Sequence, residues 1–532
     1  MQQQGCCPPI PQGFPTTVLL PPRPDGQKAV NHAATVLLPT HLTPLQPRLQ
    51  VNKSKHHHSM LQSFNDFIWT YILVGLLIAC GLWFTWKTKF VQFRMLGEMI
   101  RLLKDSGTRE EHEGNSQKGK SGIKEKTKHI TSFQAFAVSL ATRVGTGNMA
   151  GVATAIAIGG PGACFWMWVI ALIGSATAFV ESTLAQLFKR RHQDSFIGGP
   201  AYYIAKGLHS KWMSWLFAIL ITLTFGLSYN SIQSNTICGA MEQAFGWNPV
   251  AVGIVLVALS LLIVFGGIQR IAKVSSVLVP VMAVGYLLLA LYVVLSNITI
   301  FPDVMKLIVE NAFGVNQAVG GSVGAAMMVG VKRGLFSNEA GEGSAPNVAA
   351  TADVSHPVKQ GLIQALGVFT DTLVVCSCTA FIILVSGLYD SGLNGINLTQ
   401  TALQSEVGEA GPVFVAVAIF LFAFSSIIGN YYYGEANIRF MTSNKWVLMA
   451  FRFCSGGVVV MFGALASLDV VWTLGDICMA ILTFVNILAI LLLGKYVFRL
   501  ADDYRSQRRK GIKNPRFTKS QFPEIQEDLE CW

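Results

Sequence analysis

The chain has 532 residues, of which 52% are hydrophobic and 13% charged, with a mean hydropathy of +0.46. A globular domain is about 25% charged, so this composition excludes a soluble protein of comparable length and describes a polytopic membrane protein with its charges in loops. The net charge of +11 is then a topology signal under the positive-inside rule, rather than a nucleic-acid footprint.

Residues 1–59 are rich in Pro, Gln, Leu and His and carry neither a spanning apolar run nor a signal segment. They read as a disordered extension, and Met60, directly ahead of the first apolar segment, marks them as an over-extended start. His56–His58 within it are assigned no function. From Ile68 onward, apolar windows of spanning length recur at 68–86, 131–157, 163–188, 212–240, 249–268, 275–296, 321–350, 358–388, 411–434, 446–467 and 470–498, predicting eleven transmembrane helices. Basic clusters follow every odd window: Lys87, Lys89 and Arg94 the first, Lys189–Arg191 the third, Arg270 and Lys273 the fifth, Lys359 the seventh, Arg439 and Lys445 the ninth, Arg505 to Lys510 the last. Acidic Glu242, Asp303, Glu310, Asp390, Glu406 and Glu409 lie in the opposite loops, so the N-terminus is expected outside and the C-terminus in the cytoplasm. Lys87–Leu103 predicts an amphipathic surface helix, and the Gly/Ser/Lys-rich stretch 105–129 a mobile cytoplasmic loop. The ten cysteines show neither metal spacing nor a disulfide framework, and most sit in apolar segments as small packing residues.

The second window is interrupted by Thr142-Arg143-Val144-Gly145-Thr146-Gly147-Asn148. Unpaired backbone groups cost several kcal/mol in a bilayer, so such a break persists only where protein, water or solute satisfies it. Its glycines let a solute approach the main chain; amides of Thr146 and Gly147 at the outer half-helix suit a carboxylate, and carbonyls at the end of the inner half suit a small cation. A glycine hinge or close helix packing is the alternative. A second break is expected in the seventh window, Gly330 to Ser344, five helices on. Paired breaks point to inverted repeats, helices 2–6 and 7–11, with a midplane site. The corresponding organisation is 60–104 for the first helix and surface helix, 130–297 and 298–498 for the repeats, and 499–532 for a cytoplasmic tail. Lys332, Arg333, Glu339 and Glu342 are costly there; an Arg333–Glu339 ion pair is one expectation, a water-filled path another. Asn230, Gln233 and Asn235 in the fourth window either bind solute or tie helices together. Asp371 in the eighth window is a carboxylate able to balance a cation, Ser425 and Ser426 in the ninth offer hydroxyl ligands, and Glu181 in the third reads as structural.

The segments Gly145-Thr146-Gly147-Asn148-Met149-Ala150-Gly151, Gly159-Gly160-Pro161-Gly162-Ala163-Cys164-Phe165-Trp166 and Gly334-Leu335-Phe336-Ser337-Asn338-Glu339-Ala340-Gly341 closely resemble the alanine or glycine:cation symporters, also called sodium:alanine symporters, over Phe64 to Leu500. The resemblance implies an all-α LeuT-like fold of 5+5 inverted repeats with an extra N-terminal helix, in the plasma (inner) membrane. It also implies import of alanine or glycine coupled to Na⁺ by alternating access, with no cofactor and no enzymatic activity. The site it implies has Thr146, Gly147, Gln233, Gly334, Phe336, Ser337 and Asn430 around the amino acid. Ala141, Val144, Ser425 and Ser426 then hold Na⁺, with Asn148 and Asp371 at a second cation position. Asn430 replaces the Trp of many family members, and Glu342 stands where an apolar residue such as Met is expected. H⁺ coupling, a larger neutral amino acid such as glutamine, and an ion channel remain the alternatives. No His-Glu-x-x-His motif supports metal-dependent hydrolytic chemistry.

Overall fold

The computed structural model describes residues 63–105, 130–192, 195–314 and 323–532, all within one compact unit, Lys55–Trp532. The predicted extension 1–59 and nearly all of the predicted loop 105–129 lie outside the described residues.

The described chain is almost wholly helical. The first helix, α1 (Ser63–Lys87), packs on α5 (Ala163–Leu187) through Gly81, where a Cβ would come within 3.0 Å of Ile173. A left-handed turn at Lys89 and Phe90 (φ 59° and 58°) ends it and leads into the predicted amphipathic helix α2 (Leu96–Asp105). Thr131 and Gln134 form a capping box that starts α3 (Ser132–Arg143), which stops at Val144 (ψ 87°). After the interruption the chain resumes as α4 (Gly147–Gly159), opening with a π-turn over Gly147–Gly151.

Beyond α5 the chain passes through a two-stranded hairpin (Arg190–His192 with Ser195–Ile197) and short helix α6 (Pro200–Gly207). Next come α7 (Lys211–Phe245), α8 (Pro249–Val264) and α9 (Gly267–Ser296), then α10 (Phe301–Ala312). The second broken pair is α11 (Val323–Asn338) and α12 (Pro346–Ala349). The remainder is α13 (Pro357–Ser386), α14 (Gly395–Val407), α15 (Ala410–Met441), α16 (Lys445–Leu465) and the long α17 (Leu468–Arg509). Each apolar window falls on one of these helices or on a broken pair, and among the described residues eight helices are long and apolar enough to cross a membrane.

The helices nearest the two breaks are the most enclosed, whereas α9 turns Val277, Val281, Val284, Leu288 and Leu291 outward at helical spacing, as a lipid-facing helix does. The α-helical hydrogen-bond pattern of α7 and α13 widens to π-turns at Thr224–Tyr229 and Phe369–Cys376. Such turns rotate the following side chains and recur at functional sites.

Candidate functional site

The first break is surrounded by α7, α11, α13 and α15. Gly145 is required by closeness: a Cβ there would collide with Ser426 Oγ and come within 3.0 Å of Gln233 Oε1. Its amide donates to Asn148 Oδ1 at 2.9 Å, and the Thr146 amide donates to Gln233 Oε1 at 3.1 Å. Gln233 and Thr146, both expected around the same solute, are therefore bonded to each other. Gly147 lies against Ser337 Cα and the Phe336 ring, where a Cβ would come within 3.0 and 3.2 Å.

Two groups of oxygens converge on the interruption. Ser426 Oγ donates to the Ala141 carbonyl at 2.9 Å and lies 3.2 Å from that of Thr142; Ser425 Oγ reaches Ala141 at 3.3 Å. Val144, with which they were grouped, is the residue at which α3 leaves its axis. On the other side Asp371 accepts from Asn148 Nδ2 (2.7 Å), Ser337 Oγ (2.8 Å) and Thr372 Oγ1 (2.9 Å), with Cys376 Sγ 3.2 Å from Ser337 Oγ. Asn148 and Asp371, suggested for a second cation position, are hydrogen-bonded to each other. Ser337, expected to face the amino acid, instead spends its hydroxyl on Asp371.

Phe336 sits in an aromatic chain, its ring centroid 4.8 Å from those of both Tyr229 and Trp472, with Phe225 beyond Tyr229 at 4.6 Å. Asn430, one turn from Ser426 on α15, is buried with neither amide atom hydrogen-bonded among the described residues. The Thr146 hydroxyl and the Trp472 indole nitrogen are likewise buried without a partner. Buried polar groups are normally satisfied, so orphans gathered on these elements favour a polar ligand.

The second break occupies only the latter part of its predicted span. Gly330 to Asn338 is regular helix, and the chain departs from it only at Glu339 (φ 55°), Gly341 (φ 102°) and Gly343 (φ 77°). The Gly334 to Ser337 carbonyls therefore belong to α11, and Gly334 is a packing residue whose Cβ would meet Ile170 at 2.6 Å. The expected Arg333–Glu339 pair does not form. Lys332 and Arg333 both reach Asp476 of α17, at 2.8 and 2.5 Å, and the Arg333 guanidinium lies 4.4 Å from the Trp472 ring. Glu339 is held by Ser344 Oγ at 2.5 Å. Glu181 accepts the amides of Gly341 and Gly343 at 3.3 and 3.2 Å and Asn486 Nδ2 at 2.9 Å, so this membrane carboxylate braces the break. Among the described residues, the Glu342 carboxylate meets only the Tyr229 hydroxyl, at 3.2 and 3.3 Å from its two oxygens. Asn230 and Asn235 tie α7 to α16 and the turn after it, through Ser455 (3.1 Å), Gly463 (3.0 Å) and Ala466 (2.7 Å).

Trp472 and Asp476 were not singled out from sequence; a lone carboxylate in the otherwise apolar start of the last window was the available signal.

A bundle of apolar helices enclosing two helix breaks, with carbonyls, hydroxyls and buried amides gathered between them, defines a multi-pass membrane transporter and not an enzyme. Its fold matches that of MhsT in complex with L-phenylalanine (TM-score 0.52, 14% identity, 67% of this chain and 87% of that chain), a LeuT-type architecture. The sodium:alanine symporter family matches residues 54–519, and the chain belongs to that family. It is 52% identical over 471 residues to the probable sodium/glutamine symporter GlnT of Bacillus subtilis (strain 168), covering 88% of this chain and 94% of the relative. It is 49% identical over 475 residues to the amino-acid carrier protein AlsT of the same organism, covering 89% and 97%.

Proposed function

We propose that the protein imports a small neutral amino acid, alanine or glycine, with Na⁺ by alternating access. In this reading eleven helices cross the inner membrane, helices 2–6 and 7–11 are inverted repeats, the N-terminus is outside and the C-terminus cytoplasmic. The observation that carries it is the convergence at the first break: Ser425 and Ser426 on the Ala141 carbonyl, and Gln233 on the Thr146 amide. Na⁺ replaces the serine hydroxyl protons as the partner of the Ala141 carbonyl and is held also by the Val144 carbonyl, with Asn148 and Asp371 at a second position. The amino-acid carboxylate takes the Thr146 and Gly147 amides, releasing Gln233 to accept from the ammonium, while Phe336 and Asn430 bound the solute. Pairing both ends of the zwitterion with protein dipoles is what makes its burial tolerable. Each unit charge moved down a potential of about 100 mV yields about 2.3 kcal/mol, and a ligand drives the transition only through its differential affinity for the two states.

Glutamine is the second reading. Asn430, with both amide atoms unsatisfied, is a hydrogen-bonding partner suited to a side-chain amide, and GlnT carries glutamine in its name. Uptake of labelled alanine, glycine and glutamine into proteoliposomes under imposed Na⁺ or H⁺ gradients separates these readings. Saturable uptake that follows the Na⁺ gradient supports the symporter; linear, unsaturable flux would point to a channel.

Two variants test the placement. Gln233→Ala is expected to weaken apparent amino-acid affinity roughly ten- to a hundredfold, the consequence of losing a bond worth about 1–3 kcal/mol. Unchanged affinity in the inserted variant removes Gln233 from the site. Ser425→Ala with Ser426→Ala raises the Na⁺ concentration for half-maximal uptake while maximal uptake persists; an unshifted Na⁺ curve assigns the cation elsewhere.

A further inference from the structure

Where α1 ends and the last turns of α17 emerge, a cavity of about 420 Å³ opens beside the apolar belt. Lys89, Arg94, Arg505, Arg509 and Lys510 line it, against the single carboxylate of Asp502. Asp502 is already shared between Lys89 at 2.8 Å and Arg505 at 3.0 Å. Among the described residues, the side chains of Arg94 and Arg509 have no hydrogen-bonded or ionic partner, whereas Lys510 has Asp503 nearby. Arg94 and Arg509 both lie close enough to Arg505 to repel it. Five cations around one carboxylate leave this surface strongly positive, and a phosphate group, with several acceptor oxygens, fits guanidinium forks better than chloride does.

The surroundings choose the source of that phosphate. Trp86, Phe90 and Phe93 on the same turn of chain are 62%, 51% and 49% exposed, and the Lys87 ammonium lies over the Trp83 and Trp86 rings at 4.7 and 4.9 Å. Exposed aromatics beside lysines mark the level of the lipid headgroups. The left-handed backbone at Lys89 and Phe90, unusual for side chains of this size, turns the chain there from spanning helix to surface helix. A soluble anion has no use for the aromatic rim, whereas acyl chains do.

We propose that this cavity binds the phosphate headgroup of an anionic phospholipid, clamping the end of α17 to the α1–α2 turn. The full chain is purified and reconstituted into nanodiscs of phosphatidylcholine, and phosphatidylglycerol binding is measured by native mass spectrometry. Arg94→Gln with Arg509→Gln is the test variant, because neither residue bonds within the described fold. Lys445→Gln with Lys519→Gln makes the same charge change elsewhere. The test variant is expected to bind phosphatidylglycerol roughly ten- to thirtyfold more weakly than the wild type, with the control unchanged. Equal binding by the test variant and the wild type overturns the site, and equal loss in the control reduces it to unspecific attraction. Displacement of the lipid by an equal concentration of inorganic phosphate would overturn the lipid as its occupant.

Discussion

Glu342 is the residue whose surroundings least resemble those of its neighbours. Glu181, Glu339 and Asp371 are each held by at least two donors or hydroxyls, whereas Glu342 is fully buried with one phenol, and the nearby carboxylates share its sign. Arg143 is a buried cation near Glu342 that makes no hydrogen bond to it, its Nη1 donating instead to the Gln364 carbonyl at 3.2 Å. A carboxylate this poorly compensated is suited to carrying a proton through the transport cycle. Glu342→Gln is therefore expected to preserve Na⁺-driven uptake while removing its dependence on pH between mildly acid and mildly alkaline buffers. A pH profile superimposable on the wild type would exclude Glu342 as a proton carrier. At this scale the sequence is informative where polarity is out of place: Asn148, Asp371, Ser425 and Ser426 stand out in apolar windows, and the structure brings them together as two groups. Trp472 was illegible because an aromatic residue in a spanning helix is ordinary until its partner, Phe336, is known.

The two helix breaks show what local sequence can and cannot place. The first was legible because Thr142, Arg143, Gly145, Thr146, Gly147 and Asn148 interrupt an apolar window. The second was drawn too long at its start because Gly330 and Gly334 serve a different purpose, letting α11 approach Ala163, Met167 and Ile170 of α5 without interrupting its own hydrogen bonds. Lys332 and Arg333 remain in an unbroken helix because Asp476, far away in sequence, compensates them, and no local pattern announces such a partner. Removing one member of a buried ion group strands the rest, at about 3–5 kcal/mol, whereas replacing the whole group by apolar residues is often neutral. Asp476→Asn should accordingly lower the thermal midpoint of the purified protein substantially, while Lys332→Met, Arg333→Leu and Asp476→Leu combined recover much of it. If the single substitution leaves the midpoint unchanged, the triad does not hold α11 against α17.

Across the whole molecule, the order of helices followed from hydropathy because each apolar window must bury its own backbone hydrogen bonds, whatever its neighbours are. The final segment did not follow, since its apolar residues are too sparse to form a helical stripe. Phe517, Phe522, Ile525 and Leu529 are nevertheless buried against the helix ends, and the Trp532 indole donates to the Gln186 and Leu187 carbonyls at the end of α5, at 3.1 Å each. Beneath it Lys189 is enclosed between the Trp532 and Phe196 rings, 4.8 and 4.1 Å away, and donates to the Ala352 carbonyl at 3.1 Å. Burial outweighs the nearby Asp353 and pulls the Lys189 ammonium down from 10.5 to about 8. Between those two values the unfolded chain holds a proton that the folded chain has released, so folding stability rises with pH; below about 8 both states are protonated and the contribution is flat. The thermal midpoint of the wild type relative to Lys189→Met should therefore be constant below pH 8 and climb above it. Trp532→Ala opens the lysine to water, returns its proton affinity toward the ordinary value and should abolish that climb. A climb that survives in Trp532→Ala would show that the terminal tryptophan does not seal this end of the bundle.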